Sequence, residues 1–155
     1  MDTPTLRREE LGSAVLDSLF AELNREVDGI YPEEGANHYR LDPAEVSPGR
    51  GGCFVLWIGD EPVGCGALRM LDADTGELKR MFVRPAWRGR GLSRRMLRHL
   101  EAEARRCGAR RLVLETGTRL AASVALYESE GFREIGRFGE YAHSPLSHCM
   151  AKTLD

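Results

Sequence analysis

The chain lacks any apolar run long enough to cross a bilayer. The longest, Cys53 to Ile58, falls far short of the roughly 20 residues that a spanning helix needs. The opening residues, MDTPTLRREE, lack the apolar core of a secretory signal, so the expected location is cytoplasmic, with no membrane partner. Cysteine is sparse as well. Cys53, Cys65, Cys107 and Cys149 show neither C-x-x-C spacing nor the density of a disulfide scaffold, which points to reduced, mostly buried thiols and to no metal site. Internal repeats and low-complexity segments are also missing.

Acidic residues are missing from one stretch in particular. Between Lys79 and Arg98 stand eight basic residues and no acid, leaving 14 basic against 24 acidic residues elsewhere in a chain of net charge −2. A nucleic-acid binder spreads basic charge over a longer face, often among exposed aromatics, so no nucleic-acid partner is expected. A local cluster around one turn suits a compact polyanion. With 155 residues, 42% hydrophobic and 30% charged, the chain has the size and balance of one domain spanning 1–155 with a sizeable core.

Periodicity predicts the elements in order. A short strand covers Thr3 to Leu6, and a helix near Glu10 to Glu26 carries an apolar face (Leu11, Val15, Leu16, Leu19, Phe20, Leu23) that reads as packing. Turn chemistry dominates from Asp28 to Gly52, with a short helix near Pro43 to Val46. Three strands joined by tight turns follow: Cys53 to Ile58, Pro62 to Leu71 and Leu78 to Val83. A helix from Leu92 to Gly108 then crosses to a strand at Arg111 to Thr116, which should lie parallel to Leu78 to Val83. A helix ending at Gly131 and strands at Phe132 to Gly136 and Ser147 to Leu154 complete a mixed α/β domain.

The centre of this order is the loop Arg88-Gly89-Arg90-Gly91-Leu92-Ser93, between a strand and a helix. Glycines let the backbone approach a ligand, and the first turn of a helix presents N–H groups with no partner inside it, so the junction suits phosphate. The loop is not a P-loop, having no Gly-Lys-Ser/Thr, and not a dinucleotide fingerprint, which belongs at the first strand-to-helix turn. Arg88-x-x-Gly91-x-Ser93 resembles the pyrophosphate-binding signature R/Q-x-x-G-x-G/A of the GNAT superfamily of N-acetyltransferases. Leu126-Tyr127-Glu128-Ser129-Glu130-Gly131-Phe132 resembles that family's L-Y-x-x-x-G-F. The segment from Phe138 to Met150 is similar to a bacterial subgroup that closes on F-x-x-Y-x-x-x-P-x-S.

The resemblance implies a GNAT-like fold, an antiparallel meander followed by a parallel central strand pair that splays around the thioester. It also implies acetyl-CoA as cosubstrate, with an amine as the second partner. Cofactor contacts would come from the backbone of Met81, Phe82 and Val83, from the loop residues Arg88, Gly89, Arg90, Gly91, Leu92, Ser93 and Arg94, and from Ser123 and Tyr127. Two departures stand out. Ser93 replaces the usual Gly or Ala, and Leu120 stands where many members carry an asparagine.

Acetyl transfer to an amine needs a base, because an ammonium with a pKa near 10 costs roughly 4 kcal/mol to deprotonate at neutral pH. It also needs a proton for the departing thiolate. Glu77 is the first candidate base: by strand alternation it shares a face with Met81 and Val83, and a glutamate matching this position acts as base in several family members. Glu115 is the second, and His143 a further alternative. Tyr127 is the candidate proton donor. Tyr31, His38, Tyr39, Glu115, Tyr141, His143 and Ser147 are candidates to line the acceptor pocket. The acceptor is expected to be the amine of a small molecule or amino acid. A protein N-terminus or lysine, or a non-catalytic acyl-CoA sensor, are the alternatives, and the chain is expected to work as a monomer or homodimer.

Overall fold

The computed structural model describes residues 3–33 and 41–155. One seven-stranded sheet organises it: β1 (Pro4–Glu9), β2 (Gly51–Ile58), β3 (Glu61–Met70), β4 (Thr75–Val83), β5 (Arg111–Gly117), β6 (Arg133–Ile135) and β7 (Ser147–Thr153). Their order across the sheet is β1-β2-β3-β4-β5-β7-β6. Every neighbouring pair is antiparallel except β4 and β5, which are parallel because a helical crossover joins them. Three helices accompany the sheet: α1 (Ala14–Ile30), α2 (Leu92–Arg106) and α3 (Ala121–Ser129).

The sheet buries both faces. On one, Met96, Leu97, Leu100 and Ala104 of α2 pack with Leu56, Val63, Leu68, Leu78 and Leu114, joined by Tyr127 of α3. On the other, Leu16 and Leu19 of α1 pack with Val46, Val55, Cys65 and Phe82. Central strands buried on both sides read as continuous apolar runs, which is how β2 announces itself in the sequence. The four cysteines are free thiols, all but Cys107 buried, and burial pushes the Cys53 thiol up to about 11.

Two expectations change. The first helix does not stop near Glu26; it runs to Ile30, with the N–H of Tyr31 donating to the carbonyl of Val27 at 2.8 Å. Gly29 is only a weak helix breaker, and the stripe Leu23, Val27 continues the apolar face. The second concerns β4. Its register against β3 slips between Cys65 and Ala67, and Arg80 adopts φ 59, the only positive φ outside glycine among the described residues. This bulge adds one residue to β4 and reverses its alternation. Glu77, opposite Arg69, therefore does not share a face with Val83: Val83 lies in the α2-side core, whereas Phe82 now faces α1.

Candidate active site

The ladder between β4 and β5 runs from Thr75↔Arg111 to Leu78↔Leu114 and no further. Both strands continue, β4 to Val83 and β5 to Gly117, so they part beyond Leu78 and Leu114. Among the described residues the β4–β5 ladder thus ends where Lys79 begins, while β5 keeps β7 as its other neighbour through Gly117↔Ser147. Two cavities open at this fork, both roofed by the last turns of α1.

The larger, about 820 Å³, runs along the outer part of β4 to the start of α2. It is lined by Met81, Phe82, Val83, Arg88, Gly89, Gly91, Leu92, Ser93, Arg94, Ser123 and Tyr127, every sequence-assigned cofactor residue except Arg90. Arg90 instead stacks on Trp87, its guanidinium carbon 4.8 Å from the ring centroid. The start of α2 is built for an anion. Gly91 caps it in the left-handed region at φ 75 and offers no side chain to its first N–H groups, and its first turn contains no acid. A helix N-terminus carries roughly half a positive charge and ordinarily attracts Asp or Glu; here arginines stand in that place. Several of these arginines are held by acids on the neighbouring helices: Arg88 pairs with Glu26 at 2.7 Å and donates to the Val83 carbonyl at 2.8 Å, and Arg94 pairs with Glu130 at 3.2 Å.

The smaller cavity, about 150 Å³, lies in the throat of the fork. Lys79 and Glu115, the first residues past the last strand pair, line it from opposite arms, together with Arg80, Asn24, Tyr31 and Tyr141. Leu78 and Leu114 both point into the α2-side core, so alternation turns Lys79 and Glu115 to the other face together. Glu115 is partly buried. Its Oε2 accepts from the Ser147 hydroxyl at 2.6 Å, and among the described residues it forms no ion pair. Desolvation raises its pKa, against the opposing pull of the Ser147 hydrogen bond and of Lys79. Tyr31 is fixed at the back of the cavity, where its hydroxyl accepts from the backbone N–H of Arg119. It can lie there because residue 117 is glycine: a Cβ at that position would sit 2.0 Å from the Tyr31 hydroxyl.

Tyr127 lines both cavities. It is 7% exposed, its ring set edge-on to Phe132 with centroids 5.8 Å apart. Burial, and secondarily the charge of Glu115, push its phenol up to about 12, so it holds its proton throughout the neutral range.

Glu77 is elsewhere. Its side chain is wholly buried, lines neither cavity, and has both oxygens engaged, Oε1 by Arg69 at 2.8 Å and Oε2 by the Tyr141 hydroxyl at 2.6 Å. Arg69 reaches on to Glu45 at 2.8 Å and Glu140 at 3.0 Å, so Glu77 is the innermost acid of a network that ties the segment before β2 and the turn before β7 to the sheet. His143 is exposed in the turn after Tyr141 and lines neither cavity. Tyr39 and His38 lie outside the described residues.

A forked parallel pair with an anion-ready helix start at one end of the fork is the arrangement expected of an acyl-CoA site, and the comparisons decide the matter. The sequence model of the Acetyltransferase (GNAT) family matches residues 16–132. The chain belongs to the GNAT family of acetyltransferases. It is 39% identical over 155 residues to an IAA acetyltransferase of Azospirillum brasilense, covering 99% of this chain and 100% of that one. Among solved structures, an acyl-CoA N-acyltransferase fold from Klebsiella pneumoniae superposes with TM-score 0.83 at 29% identity, covering 99% of both chains. A GNAT acetyltransferase from Elizabethkingia anophelis with acetyl-CoA bound shares the fold at TM-score 0.71 and 18% identity, covering 99% of this chain and 100% of that one.

This GNAT enzyme uses acetyl-CoA, and its groove fits that cosubstrate on its own evidence: an acid-free helix start for phosphate and a strand edge past the end of the β4–β5 ladder for an amide-bearing arm. What the sequence reading missed is the roof. Leu23, Val27 and Ile30 of α1 line the cavities; in the sequence Leu23 reads as packing alone, and the signal of Val27 and Ile30 is the continuation of the apolar stripe past the expected helix end.

Proposed function

We propose that the enzyme transfers the acetyl group of acetyl-CoA to the primary amine of a small molecule by direct attack. The observation that carries this reading is the place of Tyr127, on the wall shared by a groove suited to the cosubstrate and a second cavity with a carboxylate in it. Acetyl-CoA supplies an activated thioester. The protein supplies the two proton transfers. Glu115, with its raised pKa, receives a proton from the incoming ammonium, freeing the nitrogen lone pair. The Tyr127 hydroxyl gives its proton to the departing sulfur as the N–C bond forms and the C–S bond breaks, and the second proton of the acylated nitrogen then restores the phenol.

The base is thus assigned to Glu115 and not to Glu77, because only Glu115 faces the cavity. Glu77 and Tyr141 hold the cavity wall in place. The acceptor cavity is small beside the ~300–1,000 Å³ of sites that bury drug-sized ligands, which favours a compact metabolite over a protein segment. None of the four cysteines lines either cavity, consistent with transfer that does not pass through an acetyl-cysteine. The test is release of free CoA thiol from acetyl-CoA in the presence of a panel of small amines. Tight acetyl-CoA binding without amine-dependent thiol release would replace this reading with that of a sensor.

A further inference from the structure

The lining of the acceptor cavity is charged on both arms of the fork, with opposite signs. On the β5 arm stands Glu115, a partly buried carboxylate that accepts from the Ser147 hydroxyl and has no ion-pair partner among the described residues. Such a group is costly to desolvate unless a cation joins it. On the β4 arm stand Lys79 and Arg80. The Lys79 ammonium is 3.3 Å from Glu140 Oε1 and 5.7 Å from the Tyr141 ring centroid; the Arg80 guanidinium donates to Asn24 at 2.7 Å and lies 5.2 Å from the Phe20 ring centroid. The bulge at Arg80 is what brings two consecutive cationic residues to one cavity, since regular alternation would send their side chains to opposite faces.

We propose that the acceptor is a zwitterion, a small molecule carrying a carboxylate beside its primary amine, with the ammonium received by Glu115 and the carboxylate by Lys79 and Arg80. Lys79 and Glu115 follow directly on the last paired residues, Leu78 and Leu114, so the two opposite charges enter the cavity from neighbouring strands at the mouth of the fork. The carboxylate also gives the enzyme a handle that fixes the nitrogen against the groove, which a plain amine lacks.

This inference rests on the acetyltransfer reading, and the experiment separates the two. Purified enzyme with acetyl-CoA is assayed with a set of L-amino acids, and the best of them is compared with its carboxamide and with the primary amine left when its carboxylate is removed. The zwitterion predicts that either neutralisation lowers kcat/KM by about 10- to 100-fold, the range for losing a charged hydrogen-bonded contact. In Lys79→Met and, independently, in Arg80→Gln, the ratio of kcat/KM for the amino acid to that for the matching amine should fall toward one. Equal or better turnover of the carboxamide and the plain amine by the wild-type enzyme overturns the zwitterion while leaving acetyltransfer standing. Turnover of no amine of any kind, with acetyl-CoA bound, removes both.

Discussion

The hydroxyl of Tyr141 donates to the carboxylate of Glu77 at 2.6 Å, linking the turn before β7 to the buried middle of β4. Tyr141 also lines the acceptor cavity, so Glu77 reaches that cavity only through it. Burial, and then the adjacent Glu77 charge, hold the Tyr141 phenol far above its ordinary range, which makes it a fixed donor. Glu77, Tyr141 and Arg69 therefore form a rigid wall behind the site.

Removing Glu77 should show as lost stability first. Glu77→Ala leaves Arg69, 11% exposed at its side chain, facing only the outer acids Glu45 and Glu140. Breaking a buried pair in this way costs about 3–5 kcal/mol, so the melting temperature should fall by roughly 10 °C. Glu115→Gln, in contrast, removes a carboxylate that burial disfavours, and should hold or raise the melting temperature at neutral pH while cutting kcat by about 100-fold or more. Thermal melts with parallel kinetics distinguish the pair. A Glu77→Gln enzyme with native stability and no turnover would return the base to Glu77.

Tyr127→Phe keeps the ring and its contact with Phe132 but deletes the proton. The expected result is a kcat lower by about 100-fold with the KM for acetyl-CoA little changed. A change confined to KM would make Tyr127 a wall residue and nothing more.

Acetyl-CoA should raise the melting temperature of the wild-type enzyme, since it binds only the folded state; at a hundred times Kd the added stability is about 2.7 kcal/mol. Gly91→Trp should abolish this shift. A Cβ at Gly91 meets no protein atom within 4 Å, so a side chain there starts out into open space in front of the helix start. Gly91→Ala serves as control: it carries the left-handed strain at φ 75, on the order of 1 kcal/mol, without the bulk, and should retain a ligand-induced shift.

The raised pKa of Glu115 sets the direction of two pH dependences. As a base it must be ionised, so kcat/KM should fall as pH drops through its elevated value, and Glu115→Gln should lose that limb along with most activity. For stability the sign is opposite. A carboxyl whose folded pKa exceeds its unfolded one contributes fully below the unfolded value and loses that contribution as pH rises through the folded value. Wild type should therefore lose melting temperature relative to Glu115→Gln as pH rises out of the ordinary carboxylate range. A gap between the two that stayed constant with pH would show that Glu115 titrates normally.

Local chemistry wrote much of this protein into its sequence. The strand and helix order, the glycine turn at Gly89 and Gly91, the α2 stripe of Leu92, Met96, Leu97 and Leu100, and the tyrosine before Gly131-Phe132 depend on near neighbours and periodicity, and each is found where the sequence places it. The tertiary structure decided what a one-dimensional pattern cannot carry. The extra residue at Arg80 depends on the register of β4 against β3, and it alone reverses which face Glu77 shares. The fork beyond Leu78 and Leu114 comes from the end of one ladder while both strands continue. Ser147 meets Glu115 across 32 positions and Arg69 meets Glu77 across the β3–β4 hairpin, so the carboxylate that lines the cavity and the one committed to the network are told apart only by partners that folding brings to them. Side-chain identity listed the chemical groups; long-range pairing chose which of them line the cavities.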